Sequence, residues 1–175
     1  MKSDVIKINS RKKGFQDALR ETEHAGQYRN LSPKEMLQLQ LCTEEMLSLV
    51  RSVTGEIEAT FWLESEGKQF DLHVSTQTVM DREKRNNLIA SATSRTNEAA
   101  NTFLGKLRDS FEAALVSQPN NSIPDDVLDD LANRDIEEEP GWDQYEQAVL
   151  RKVADQVKIS IKGGMVDLTV SKRFE

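Results

Sequence analysis

Glu44 and Ser48 stand four residues apart in the run Leu41-Cys42-Thr43-Glu44-Glu45-Met46-Leu47-Ser48-Leu49-Val50, which puts a carboxylate and a hydroxyl on one face of a helix. Glu44 is the candidate general base of this chain. A glutamate in mid-helix is as readily a solvated or ion-paired residue, and Glu45 can be the inward one of the two, so residue type alone leaves both readings open. Other chemistries find less to work with. His24 and His73 have no Cys or carboxylate at ligand spacing, so no metal site is expected. Cys42 falls on an apolar stripe and reads as a small core residue. There is no Gly-x-Ser-x-Gly elbow for a serine hydrolase and no Walker A loop for phosphate. Lys2, Lys7 and Arg11-Lys12-Lys13 form a small basic cluster that solvation explains as well as an acidic partner does.

The elements that must position these residues are legible along the chain. Val5-Ile6-Lys7-Ile8 is a short β-branched strand, with Asn9-Ser10 leading into a helix over roughly residues 11–27. Leu31-Ser32-Pro33-Lys34-Glu35 carries an N-cap serine, a proline at the first helical position and a glutamate that closes a capping box. The helix that starts there bears a wide apolar stripe through Met36, Leu39, Cys42 or Leu41, Met46, Leu49 or Val50, and Val53. Gly55 stops it. The period then changes to two: residues 56–63 and 69–76 alternate about Glu64-Ser65-Glu66-Gly67-Lys68, predicting a hairpin whose buried face holds Ile57, Ala59, Phe61, Leu63, Phe70, Leu72 and Val74. Residues 81–116 predict a long helix or two, weakly apolar before Phe103, so that the first half packs loosely or meets a partner. An exposed acidic loop with a short helical turn is expected at 120–140. A last helix from Trp142 to Ala154 precedes a second hairpin, 157–161 and 165–170, about Lys162-Gly163-Gly164. This order, with helices on one face of a mixed, mostly antiparallel sheet, predicts an α/β (α+β) two-layer sandwich.

Composition narrows the field. The 175 residues are 37% apolar and 30% charged, enough for one domain and short for two. The net charge is −7, and residues 120–140, with eight acidic side chains against Arg134, account for all of it. Such a balance argues against a nucleic-acid binder, since phosphate contact needs a basic surface. The first residues lack the apolar core of a signal peptide, a single cysteine forms no internal disulfide, and no uncharged apolar run nears the ~18 residues of a membrane span. A soluble cytoplasmic protein is the expectation.

The capped helix with a mid-helix Glu, followed by a hairpin, a variable region, a helix and a closing hairpin, resembles the GHKL or Bergerat ATP-binding fold of histidine-kinase ATPase domains and anti-sigma-factor serine kinases. Residues 41–50 look like the N-box helix of that family, and Val149-Leu150-Arg151-Lys152-Val153-Ala154-Asp155-Gln156-Val157-Lys158-Ile159-Ser160 looks like its last helix entering the penultimate strand. The likeness makes residues 1–175 a single GHKL-like domain with a divergent helical and acidic insert at about 81–141.

The resemblance implies a role for each matching position. Glu44 would polarise the attacking water or hydroxyl. Ser48 stands where the family has an Asn that supplies an oxygen to Mg²⁺, and it has less reach and a weaker dipole. Thr76 and Thr78 take the places of an Asp that accepts the adenine amino group and of a Gly that lets the base approach. Gly141 is the one glycine near the lid position, with Glu137, Glu138 and Glu139 beside it to repel a triphosphate. The Gly-Thr pair of the family's closing turn reads Gly163-Gly164-Met165. Asp155 matches a structural position and reads as a cap or turn residue. The expectation is a signalling pseudoenzyme, a regulatory anti-sigma-like domain that acts on a protein partner with weak or lost ATP/Mg binding and no other cofactor; a homodimer is compatible with the likeness. The alternatives are an active ATP-dependent serine/threonine kinase or ATPase with a divergent site, and an unrelated α/β interaction module.

Overall fold

A computed structural model describes residues 1–9, 14–55, 58–100, 106 and 149–175, with 53 and 54 as backbone alone. The elements are β1 (Ile6–Asn9), α1 (Phe15–Tyr28), α2 (Pro33–Thr54), β2 (Glu58–Glu66), β3 (Gln69–Gln77), α3 (Arg82–Ser91), a 3₁₀ turn at Glu98–Ala100, β4 (Gln156–Lys162) and β5 (Met165–Arg173). Residues 149–153 are helical just before β4. One five-stranded sheet runs in the order β1-β2-β3-β5-β4.

Every neighbouring pair in that sheet is antiparallel, which corrects the expectation of a mixed sheet. The reason lies in the connections. The joint of residues 29–32 turns α2 back along α1, and the hydroxyls of Thr22 and Thr43 meet between the two helices. The pair therefore returns the chain to the end of the sheet where β1 finished, and β2 must run back along it. The two hairpins then add two strands each.

Local chemistry explains most boundaries. α2 starts at the expected capping box: the Glu35 N–H donates to Ser32 Oγ at 3.4 Å and the Ser32 N–H to Glu35 Oε2 at 2.6 Å, with Pro33 at the first turn. α1 starts later than expected, at Phe15, and its N-cap is Gly14 rather than the Asn9-Ser10 pair; Asn9 is still in β1. Gly14 has φ +86°, and a Cβ there would lie 2.0 Å from the Lys7 carbonyl oxygen, so no other residue lets the chain fold so tightly against β1. The long helix or two expected from residue 81 ends first at Ser91, where Ala92 turns extended, and residues 92–97 are not helical; beyond residue 100 that expectation, residue 106 aside, lies outside the described residues. So do the acidic loop at 120–140 and the start of the last helix.

The core is the inner face of the sheet closed by α1 and α2. Ala59, Phe61, Leu63, Phe70, Leu72, Val74, Val157, Ile159, Ile161, Val166, Leu168 and Val170 alternate inward and are buried, facing Leu39, Cys42, Met46, Leu47, Leu49 and Val50. Their period-two and helical spacings are those read from the sequence; Ile57 lies outside the described residues. The outer face of the sheet carries no helix among the described residues and is polar.

Candidate functional site

The topology places two of the five expected site residues, Thr76 and Thr78, at one end of the sheet; Glu44 lies at the middle of α2 and Ser48 one turn nearer that end. β1 ends there, β2 begins there, β3 ends there and the turn between β4 and β5 closes it, while the short link after Gly55 brings the C-terminus of α2 to the same end. Glu44 and Ser48 lie on α2, one turn apart; Glu44 is exposed and Ser48 half-buried. Thr76 is the last inward residue of β3 and is buried, its Oγ1 donating to the Glu58 carbonyl at 3.1 Å. Thr78 follows, and its N–H donates to the Gly164 carbonyl at 2.8 Å. A Cβ on Gly164 would meet the Thr78 carbonyl oxygen at 2.6 Å, so the closing turn needs a glycine in order to approach β3. No hydrogen bond or ion pair joins Glu44 to Thr76 or Thr78 among the described residues. Gly141 and the three glutamates before it lie outside them.

Around these positions the inner layer is filled. Cys42 is buried on α2, and desolvation pushes its thiol up to about 12, so the sulfur stays neutral at physiological pH. Next to it, Thr43 Oγ1 lies 3.0 Å from Thr22 Oγ1 and 3.2 Å from the Leu39 carbonyl. Asp155 behaves as a turn residue: burial opposes its charge, but the Lys172 ammonium at 2.9 Å and the Arg173 N–H at 2.7 Å outweigh burial and lower its pKa.

A cavity at this end opens on the other side of the sheet. About 470 Å³ is lined by the outward side chains Lys7, Asn9, Glu58, Thr60, Ser75 and Gln77. Register sets this grid: Asn9 pairs with Glu58, Lys7 with Thr60, and Thr60 with Ser75. Asn9 Oδ1 is buried there without a partner. One step further along the same face, Trp62 stacks on His73 with ring centroids 4.9 Å apart, and His73 Nδ1 lies 3.0 Å from Thr169 Oγ1. Desolvation lowers the His73 pKa against the nearby charges of Glu64 and Asp71. Sequence reading took His73 as an isolated histidine. The signal that it stacks was present in the pairing of two strands read to alternate, since 62 and 73 both point away from the core.

No group of three or more His, Cys, Asp and Glu side chains is placed to hold a metal ion among the described residues, and none of their helices is long and apolar enough to cross a membrane. Comparison with models of known protein families gives no match, and neither does comparison with curated protein sequences.

Proposed function

We propose that the chain is a regulatory domain of the GHKL or Bergerat class, related to anti-sigma-factor kinases, that works through contacts with a protein partner and holds nucleotide weakly or not at all. The observation that carries this reading is the order of elements: a strand, two helices, a hairpin, a helical stretch and a second hairpin, laid side by side in one sheet with α1 and α2 on a single face. Of the matching positions, Thr76 and Thr78 stand at one end of that sheet, and Glu44 and Ser48 lie on the helix packed on its inner face.

Erosion of the nucleotide site is supported by what fills those positions. The Thr76 hydroxyl is committed to the Glu58 carbonyl inside the sheet, where the family has a carboxylate for the adenine amino group. Replacing a charge-assisted hydrogen bond of that kind costs roughly 1.5–3 kcal/mol, about ten- to a hundredfold in affinity. Thr78 adds a side chain where the family keeps the backbone bare. Ser48 offers a shorter, weaker ligand than an amide. The partner surface would be the divergent region at 81–141. Within it, α3 buries Leu88 and Ser91, packs Ile89 partly against the core and presents mostly charged and amide side chains elsewhere.

Glu44 keeps one observation on the side of an enzyme: it is exposed, and Ser48 lies one turn away. Radiolabelled ATP with magnesium decides between the readings. The proposal expects no hydrolysis or phosphoryl transfer above the buffer rate, in the native protein and in Glu44→Ala alike. Turnover that Glu44→Ala abolishes would establish the kinase or ATPase.

A further inference from the structure

β4 is the last strand of the sheet, so half of its backbone groups face outward. Residues 92–97, between α3 and the 3₁₀ turn, fasten onto that edge at two points. The Thr93 N–H donates to the Val157 carbonyl at 2.8 Å, and the Val157 N–H donates to Thr93 Oγ1 at 2.7 Å. Four residues on, Asn97 repeats the exchange with its side chain: Nδ2 donates to the Ile161 carbonyl at 2.9 Å, and Oδ1 accepts from the Ile161 N–H at 2.8 Å. Asn97 is 4% exposed, so its amide does inside the protein what a sixth strand's peptide group would do. Its Oδ1 also accepts the Ala99 N–H at 3.1 Å, which fixes the amide's orientation.

Between the two fastenings the strap stands away from the strand. Ser94, Arg95 and Thr96 are exposed, and Arg95 has φ +53°. Ile159 lies midway between Val157 and Ile161, and by the alternation of an antiparallel strand its N–H and C=O point at the same edge. Neither has a hydrogen-bond partner there among the described residues, although Ile159 is fully buried. Buried peptide groups are normally paired, so among the described residues this stretch of edge has room for a further strand.

The residues of β4 suit one particular strand, which is β4 itself. Antiparallel pairing about a two-fold axis at Ile159 sets Val157 opposite Ile161, Lys158 opposite Ser160 and Gln156 opposite Lys162. Apolar residues then meet apolar residues on the inner face, and no lysine faces a lysine on the outer face. We infer that residues 92–97 are a displaceable strap over a self-complementary edge, and that when the strap lifts this edge takes β4 of a second copy. The inference does not rest on the nucleotide reading.

Amide exchange by NMR, with light scattering at low and high concentration, tests it on the full chain. In the native protein the Ile161 and Val157 amides exchange slowly at either concentration. In Asn97→Ala the Ile161 amide exchanges about tenfold faster or more when dilute, the change that one or two lost hydrogen bonds allow; on concentration a dimer forms and the Ile159 and Ile161 amides both slow. Unchanged Ile161 exchange overturns the strap. An Asn97→Ala protein that stays monomeric when concentrated, or a dimer that leaves the Ile159 amide unprotected, overturns the pairing. Thr93→Val, which removes the acceptor for Val157 and keeps Asn97, gives the same reading at the Val157 amide if Asn97→Ala does not fold.

Discussion

Glu35 illustrates how one side chain ties two parts of the fold together. Hydrogen bonding from Ser32 and then from the Lys68 ammonium, 3.0 Å away, holds its carboxyl down to about 2 from an ordinary 4.5. The folded state therefore binds this proton less readily than the unfolded chain does. The stabilisation is complete above pH 4.5 and is lost as pH falls from there through about 2. Glu35→Gln should flatten that part of the stability profile and leave the profile above pH 6 parallel to the native one; urea unfolding at a series of pH values checks it. A Gln mutant with the native slope between pH 4.5 and 2 would show that the capping box contributes nothing there. Ser32, Pro33 and Glu35 were legible in the sequence because every partner lies within four residues. Lys68 was not, because it comes from the turn between β2 and β3.

The helix pair depends on a contact of the opposite kind, buried and between elements. Thr22 Oγ1 lies 2.8 Å from the Ala18 carbonyl and Thr43 Oγ1 3.2 Å from the Leu39 carbonyl, with the two oxygens 3.0 Å apart. Two hydroxyl protons face three contacts, so when one hydroxyl donates across the interface it gives up its own helix carbonyl. Thr22→Val or Thr43→Val alone breaks the set and leaves a buried hydroxyl less satisfied, at a cost of roughly 1–3 kcal/mol each; the double Val variant should cost clearly less than the sum of the two. Additive losses in a denaturation cycle would mean the hydroxyls act independently. Apolar periodicity gave both hairpins and α2 to within a few residues, but it carries no sign of Thr43, a polar residue buried beside the stripe. The end of α3 had no such signal. It falls where Thr93 and Asn97 are drawn to Val157 and Ile161, each 64 residues away, and local propensity carries no trace of a bond that distant. The outer cavity was hidden for a related reason, since its side chains come from four strands and converge through register.

At the scale of the whole molecule, the sheet divides the chain into a filled inner layer, where α1 and α2 cover twelve inward strand residues, and an outer face of paired polar side chains around Trp62 and His73. The layered α+β architecture was readable from the order of elements, whereas the strictly antiparallel sheet required knowing that α1 and α2 form a hairpin. Of the candidate site residues, Thr76 and Thr78 sit at one end of the sheet, and Glu44 and Ser48 lie along α2. Their chemistry is thin: a buried hydroxyl already bonded, a half-buried serine and one exposed glutamate. Thermal unfolding with millimolar Mg-ATP tests this most directly, because a ligand present at about 100 times its Kd adds about 2.7 kcal/mol to stability and moves the midpoint by several degrees. The account predicts a midpoint unchanged by Mg-ATP, and a rise of several degrees that follows nucleotide concentration would contradict it.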